Sequence, residues 1–373
     1  MLAWCHYSFI LLVWIFLFSQ PLSAETFRLR APTLQQLEQE SQQIIELVRP
    51  LVVKVVASRS LLADRLSPLD RSNATNATNA TNVAIDQLTE IKILENIGSG
   101  IVLDTVAGHI VTTDEVIQYS EKIEVITDTG RRQPAQLVAV DPMTGIAVIS
   151  TTLETDQTIA GNIGSGGTDI QAGAWLFMVG VSYGTSPVFA FGIASGLESL
   201  PRLPTYDGIK INAAISPGNI GGAVVNTEGQ IVGMIRATLG PRQITGTSMF
   251  RSNHLTFAFP MVTVSEIANQ LISQGRVLRG WLGIKLDQRP QGITVTQVLT
   301  DSPADQAGLL PDDVILRFNR DSVSTFSEIQ KRVRGTPPGT TVRLTVNRAG
   351  QILSRSVTLG EYQSGHLIEE YQD

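Results

Sequence analysis

The chain has 373 residues, 34 of them acidic and 28 basic, for a net charge of −6. That length supports two or three hydrophobic cores. A mild acidic surplus with no long basic stretch argues against nucleic acid as a partner. Residues Tyr7 to Phe18 are apolar except for Ser8, and Leu22-Ser23-Ala24 follows a polar break, the pattern of a secretory signal. The run is shorter than the roughly 20 apolar residues that a spanning helix needs. The segment before it lacks Lys and Arg, so an uncleaved N-terminal anchor is the alternative to export with removal of residues 1–24. The single cysteine, Cys5, lies in this segment. A chain starting near Glu25 then has no disulfide, thiol nucleophile or cysteine-based metal site.

Gln42 to Arg49 has helical spacing and stops at Pro50; Leu51 to Val56 reads as a strand. Residues 59–92 form an irregular insert centred on the repeat from Asn73 to Asn82, which predicts a mobile loop. Its three Asn-x-Thr sequons, at Asn73, Asn76 and Asn79, fit either sugar attachment or a slipped repeat. From Gly98 onward short strands succeed one another, as in an all-β barrel or sandwich. Ile101 to Leu103 is expected to pair with Ile110 to Thr112. Strands follow around Val125, at Leu137 to Val140 and Ile146 to Ile149, then at Trp175 to Val179, Val188 to Ile193 and Ile209 to Ala213. Ala223 to Val225 and Ile231 to Ile235 should form a hairpin. A helix is predicted from Met261, with Thr263 and Glu266 as a capping box and Gly275 as its stop.

Residues 277–360 read as a separate unit. Trp281 to Leu286 and Ile293 to Val298 are strands, and Ser302-Pro303 opens a short helix. Val314 to Phe318 is a strand, and Thr325 with Glu328 caps a helix over 326–334. Two more strands close the unit, and the tail 361–373 is polar and predicted to be loose.

Five segments in this order resemble the HtrA (Deg) family of exported serine proteases. They are Gly98-Ser-Gly100, Gly108 to Ile117, Asp141 to Val148, Ser216 to Asn226 and Leu255 to Pro260, followed by a PDZ-like unit. The resemblance implies a mainly β fold, a chymotrypsin/trypsin-like double β-barrel over 25–276 and then a PDZ domain over 277–360. It implies a periplasmic or envelope location, inner-membrane anchored if the signal stays. It also places the family's catalytic His, Asp and Ser at Glu115, Gly145 and Ile220. Ile220 has no nucleophilic atom, Glu115 has no hydroxyl to activate, and Gly145 has no side chain to orient a base. The expectation is a chain that is not an enzyme, with an active serine-type endopeptidase of the family using a displaced catalytic group as the alternative. No cofactor and no metal are expected; Asp114-Glu115 alone is weak as a metal site.

Gly218, Asn219 and Gly221 stay in the nucleophile-like loop. Their amides are candidates for a residual oxyanion-type loop, or the glycines only preserve a tight turn. The PDZ resemblance marks Trp281, Leu282, Gly283 and Ile284 as a peptide-carboxylate loop and strand edge. Ile329 and Val333 are the groove floor, or equally core. The partners implied are peptide C-termini or unfolded protein segments, an active relative of the family, and further copies in a homotrimer.

Overall fold

The computed structural model describes residues 32–62, 91–153, 169–181, 187–200, 203–238 and 255–363. It opens on helix α1 (Pro32–Val48), which begins ten residues before the predicted start. Pro32 suits a first helical turn. The polar stretch after it is rich in Gln and Glu, good helix formers that give little apolar periodicity to read.

Six antiparallel strands then close the first barrel: β1 (Val52–Leu62), β2 (Ile91–Asp104), β3 (His109–Thr113), β4 (Lys122–Ile126), β5 (Arg132–Asp141) and β6 (Ile146–Ser150), in the order β1-β2-β3-β6-β5-β4. Ile101 faces Val111 and Val102 faces Ile110, as expected. Leu62 lies opposite Ile91, so both ends of the predicted irregular insert are strand. The rest of the insert, with the Asn-Ala-Thr repeat, lies outside the described residues, as does the signal segment. A second barrel is built from β7 (Trp175–Val181), β8 (Pro187–Leu200), β9 (Leu203–Asn212), β10 (Ala223–Val225), β11 (Ile231–Thr238) and β12 (Leu255–Pro260), in the order β10-β11-β12-β9-β8-β7.

Strands β3 and β6 do not alternate simply between apolar and polar residues, because both of their faces are buried. In β3 and β6, Ile110, Ala147 and Ile149 fill the first barrel, while Val111, Ile146 and Val148 point outward into a second core. That second core also takes Phe177, Val179, Met234 and Phe259 from the other barrel, so it welds the two together. Each such side chain contributes roughly 1.5–3 kcal/mol on burial. Helix α2 (Asp114–Ile117) follows β3 directly, and helix α3 (Met261–Gln274) follows β12.

Helix α3 corrects one expectation. Its N-cap is Pro260, with no side-chain cap bond, so Thr263 and Glu266 sit inside the helix and form no capping box. The cause is packing: Met261, Val264, Ile267, Ala268 and Leu271 are buried in the inter-barrel core, which places the N-cap three residues before Thr263. Gly275 ends it at φ 71°, its amide donating to the Leu271 carbonyl.

The C-terminal unit has β13 (Gly280–Trp281), β14 (Ile284–Arg289), β15 (Gly292–Val298), β16 (Val314–Phe318), β17 (Asp321–Ser322), β18 (Thr341–Arg348), β19 (Gln351–Thr358) and β20 (Gly360–Glu361). Its main sheet runs β14-β15-β16-β18-β19, which leaves β14 at an edge. The predicted strand 281–286 is broken at Gly283, whose φ of 78° ends one strand before the next begins. Helix α4 (Pro303–Gln306) is capped by Ser302, and α5 (Phe326–Arg334) carries the predicted Thr325–Glu328 capping box. The predicted loose tail is tied at its start, where Gly360 and Glu361 pair with Trp281 and Gly280. Among the described residues no helix is long and apolar enough to cross a membrane.

Candidate functional site

The positions marked by the resemblance meet where the barrels face each other. Glu115 is on α2, Gly145 ends the loop between β5 and β6, and Ile220 is in the loop between β9 and β10. The Asp114 amide donates to the Gly145 carbonyl at 2.8 Å, and the Ser99 amide to the Ile220 carbonyl at 2.8 Å. Ile220 is half-buried against the first-barrel core, next to Val116.

Arg236, from β11, fills the space between Glu115 and Gly145. Its Nη1 lies 2.8 Å from Glu115 Oε1, its Nη2 3.6 Å from Asp114 Oδ1, and its Nε donates to the Thr144 carbonyl at 3.0 Å. A Cβ on Gly145 would meet Asp114 Oδ1 and lie 2.5 Å from Arg236 Nη2. The pair Asp114-Glu115 is thus engaged by a cation from the other barrel. Burial pushes the Asp114 carboxyl up from its ordinary range, against the pull of Arg236. No cluster of three or more metal-ligating side chains occurs among the described residues.

The Gly218–Asn219–Gly221 loop is held as a tight turn. The Asn219 amide donates to the Ser216 carbonyl at 2.9 Å, and the Gly221 amide to Ile235 at 2.8 Å. The Gly218 carbonyl accepts from Ser99 Oγ at 2.7 Å. Gly221 is required for steric reasons: at φ 82°, a Cβ would strike the Ser99 carbonyl. With both amides spent on main-chain acceptors, Asn219 and Gly221 offer no oxyanion donor in this arrangement.

Behind this cleft lies an ion pair that sequence reasoning missed. Arg279, just before β13, grips Asp141 with two bonds, Nη1 to Oδ1 at 2.8 Å and Nη2 to Oδ2 at 2.6 Å. The Tyr206 hydroxyl accepts from Nε and Nη2 at 3.0 and 2.7 Å. Asp141 also accepts from Thr144 Oγ1 at 2.5 Å, fixing the loop that ends at Gly145. The two charged side chains are 5% and 3% exposed, so the bidentate geometry is what offsets their desolvation. Burial raises the Tyr206 phenol, in opposition to the Arg279 charge. Partners 138 residues apart leave no local signal in a sequence.

The PDZ-like unit keeps an open, narrow cleft. Trp281, Leu282, Gly283, Ile284, Ile329 and Val333, all marked from sequence, line it together. The carbonyls of Leu282 and Gly283 accept from the Ala304 and Leu299 amides at 3.0 and 2.9 Å, which fixes the loop. One wall is the edge strand β14, through Ile284 and Leu286; the other is α5, through Phe326, Ile329, Gln330 and Val333. Ile329 and Val333 belong to the domain core as well. Arg334 and Tyr362, not marked from sequence, close one end, with the guanidinium 5.0 Å from the ring centre.

Comparison with known proteins gives the same two-part organisation. A trypsin-like peptidase domain model matches residues 98–234, and a PDZ domain model residues 280–359. The chain is 31% identical over 269 residues to "Probable periplasmic serine endoprotease DegP-like" of Chlamydia pneumoniae, a match over 68% of this chain and 53% of that protein. The chain therefore spans about half the length of the DegP-like relatives it matches. It is 28% identical to "Serine endoprotease DegS" of Haemophilus influenzae, over 72% of this chain and 78% of that one. Among solved structures, "HtrA-type protease AlgW with decapeptide" superposes with a TM-score of 0.70 at 26% identity, covering 86% of this chain and 98% of that one.

The expectation of a chain that is not an enzyme is overturned by these matches, since the relatives are named serine endoproteases. The inference failed on a physical point. Replacing three side chains removes one arrangement of groups, and it does not speak for hydroxyls elsewhere in the same cleft.

Proposed function

Because this chain belongs to the HtrA family of trypsin-like serine proteases with a PDZ domain, we propose that it acts on exposed polypeptide segments in the periplasm, seizing them in the PDZ cleft. One observation carries this reading: six sequence-marked residues converge on an apolar cleft that runs along the open edge of β14. A peptide laid there adds a strand to the sheet. Main-chain bonds supply affinity, and every second side chain falls on the floor. The similar AlgW structure carries a decapeptide, which supports the same class of ligand.

We further propose that the chain is a serine-type endopeptidase whose attacking hydroxyl stands away from position 220. Hydrolysis needs an attacker, a proton acceptor and donors for the oxyanion. Ile220 supplies no attacking atom, so the attacker must come from elsewhere in the loop. Ser216, partly buried where that loop begins, is the hydroxyl to test, and Glu115 the carboxylate facing the same cleft. Co-assembly with an active relative, or with two further copies, is a proposal of the same rank.

Two measurements on the purified full chain test the parts separately. Digestion of unfolded casein that Ser216→Ala abolishes supports the displaced hydroxyl. No digestion by the unmodified chain overturns the peptidase part and leaves peptide capture standing. Fluorescent peptides with hydrophobic ends should bind; their failure to do so overturns capture.

A further inference from the structure

Four of the six methionines lie in the described residues, and three of them, Met178, Met234 and Met261, are fully buried. Met143 is the exception. It stands in the loop between β5 and β6, two residues after Asp141 and two before Gly145. Its side chain is partly exposed and lines an open cavity of about 270 Å³, walled by Asp141, Arg276, Arg279, Glu361 and Tyr362. That leaves room for a small polar oxidant beside the sulfur, whereas burial withholds the other three from it. The sulfur also faces a cation. Arg334 Nη1, from the last turn of α5, donates to Met143 Sδ at 3.8 Å. A thioether is a weak acceptor, so this contact between a barrel loop and the PDZ helix contributes little as it stands. Arg334 also lies over the Tyr362 ring, 5.0 Å from its centre, and closes one end of the PDZ cleft.

We propose that Met143 is a redox-sensitive modification site, whose oxidation to the sulfoxide by a hydroperoxide ties the PDZ domain to the first barrel through Arg334. In that step a sulfur lone pair attacks one peroxide oxygen and the O–O bond breaks. With hydrogen peroxide, the proton of the transferred oxygen moves to the departing one, which leaves as water. Sulfur loses two electrons and the peroxide gains them. The new oxygen carries partial negative charge and is bonded to the very atom that the guanidinium already approaches. A charged donor bonds such an oxygen far better than it bonds a thioether. Sulfoxides usually disrupt a structure because they put a polar group into a core. Here the side chain is partly wet and already beside a donor, so the added dipole gains a partner. Reduction of the sulfoxide by a thiol-driven reductase reverses the change.

The experiment treats the full chain with dilute hydrogen peroxide, follows each methionine by peptide mass spectrometry and records thermal melting alongside. Met143 should take up one oxygen roughly tenfold faster than Met178, Met234 or Met261. The oxidised chain should melt roughly 2–4 °C higher, the shift expected from one added hydrogen bond. A methionine sulfoxide reductase with dithiothreitol should reverse the rise. Met143→Leu conserves volume and keeps every other methionine, so it should melt at the same temperature before and after peroxide. Arg334→Ala should still be oxidised at Met143 but show no rise. Oxidation of the three buried methionines as fast as Met143 overturns the site. A melting temperature that stays level or falls when Met143 is oxidised overturns the tie, as does a rise that survives either substitution.

Discussion

The cleft between the barrels and the cleft of the PDZ domain were both marked from sequence, and they stand in opposite conditions. At the barrels, Gly145 leaves a space that the Arg236 guanidinium enters from the other barrel, and the loop amides of Asn219 and Gly221 are bonded to their own main chain. In the PDZ domain, the marked residues surround an open cleft whose edge strand keeps its outer side unpaired in the sheet. A cleft becomes a ligand site when its polar groups lack protein partners. In the PDZ cleft the outer edge of β14 lacks them; between the barrels the Asn219 and Gly221 amides have main-chain partners, while the Asn219 carboxamide and Asp114 Oδ1 have no hydrogen-bond partner.

The strongest way to sharpen this contrast is Ile329→Ala. Ile329 is 1% exposed and serves both core and cleft. The substitution should cost about 2–4 kcal/mol of PDZ stability by chemical denaturation and weaken peptide binding, while the barrels keep their own transition. Loss of binding with no loss of stability would show that the side chain is floor and not core. Next is Gly145→Asp. Its side chain collides with Arg236 and sits on a backbone at φ 70°, so a loss of roughly 1–3 kcal/mol is expected. Combining it with Arg236→Ala should recover part of that loss in a double-mutant cycle; strict additivity would break the claim that the guanidinium occupies this space. Thr325→Ala should cost about 1 kcal/mol by removing the capping-box acceptor of α5.

The smallest effect is in pH, and one acid from each domain should respond in opposite senses. Asp313, under the PDZ sheet, pays for burial, but its bonds to Arg348 and the Leu310 amide hold its carboxyl below the ordinary range. Its contribution is present above the unfolded value of about 3.9 and is lost as pH falls through the folded one. Asp114 is held above the ordinary range by burial. Its ionisation therefore costs stability as pH rises from about 3.9 through the raised value. Melting curves from pH 3 to 7 should show Asp313→Asn flattening the acid-side loss and Asp114→Asn removing a decline in the opposite direction.

Local chemistry was legible in the sequence where it acts within a few residues. Ser302 caps α4, Thr325 and Glu328 cap α5, and Gly275 ends α3 in the left-handed conformation. The same logic failed at Thr263, where burial of Met261 outweighed a capping pattern. The barrel order followed from short apolar strands and from the family resemblance, but the doubled burial of β3 and β6 needed the fold. Arg236 and Arg279 were invisible because their partners lie 92 and 138 residues away, and an arginine at the end of an apolar strand looks like any solvated charge.

The short pairing of Gly280–Trp281 with Gly360–Glu361 brings the first and last strands of the PDZ domain side by side. Tyr362 then reaches the wall of the cleft, so an insertion made directly after Gln363 starts at the mouth of the cleft. A purification tag or reporter attached there competes for room with the ligand. One placed in the turn at Arg289–Gly292, at the far end of the β14–β15 hairpin, leaves that doorway clear.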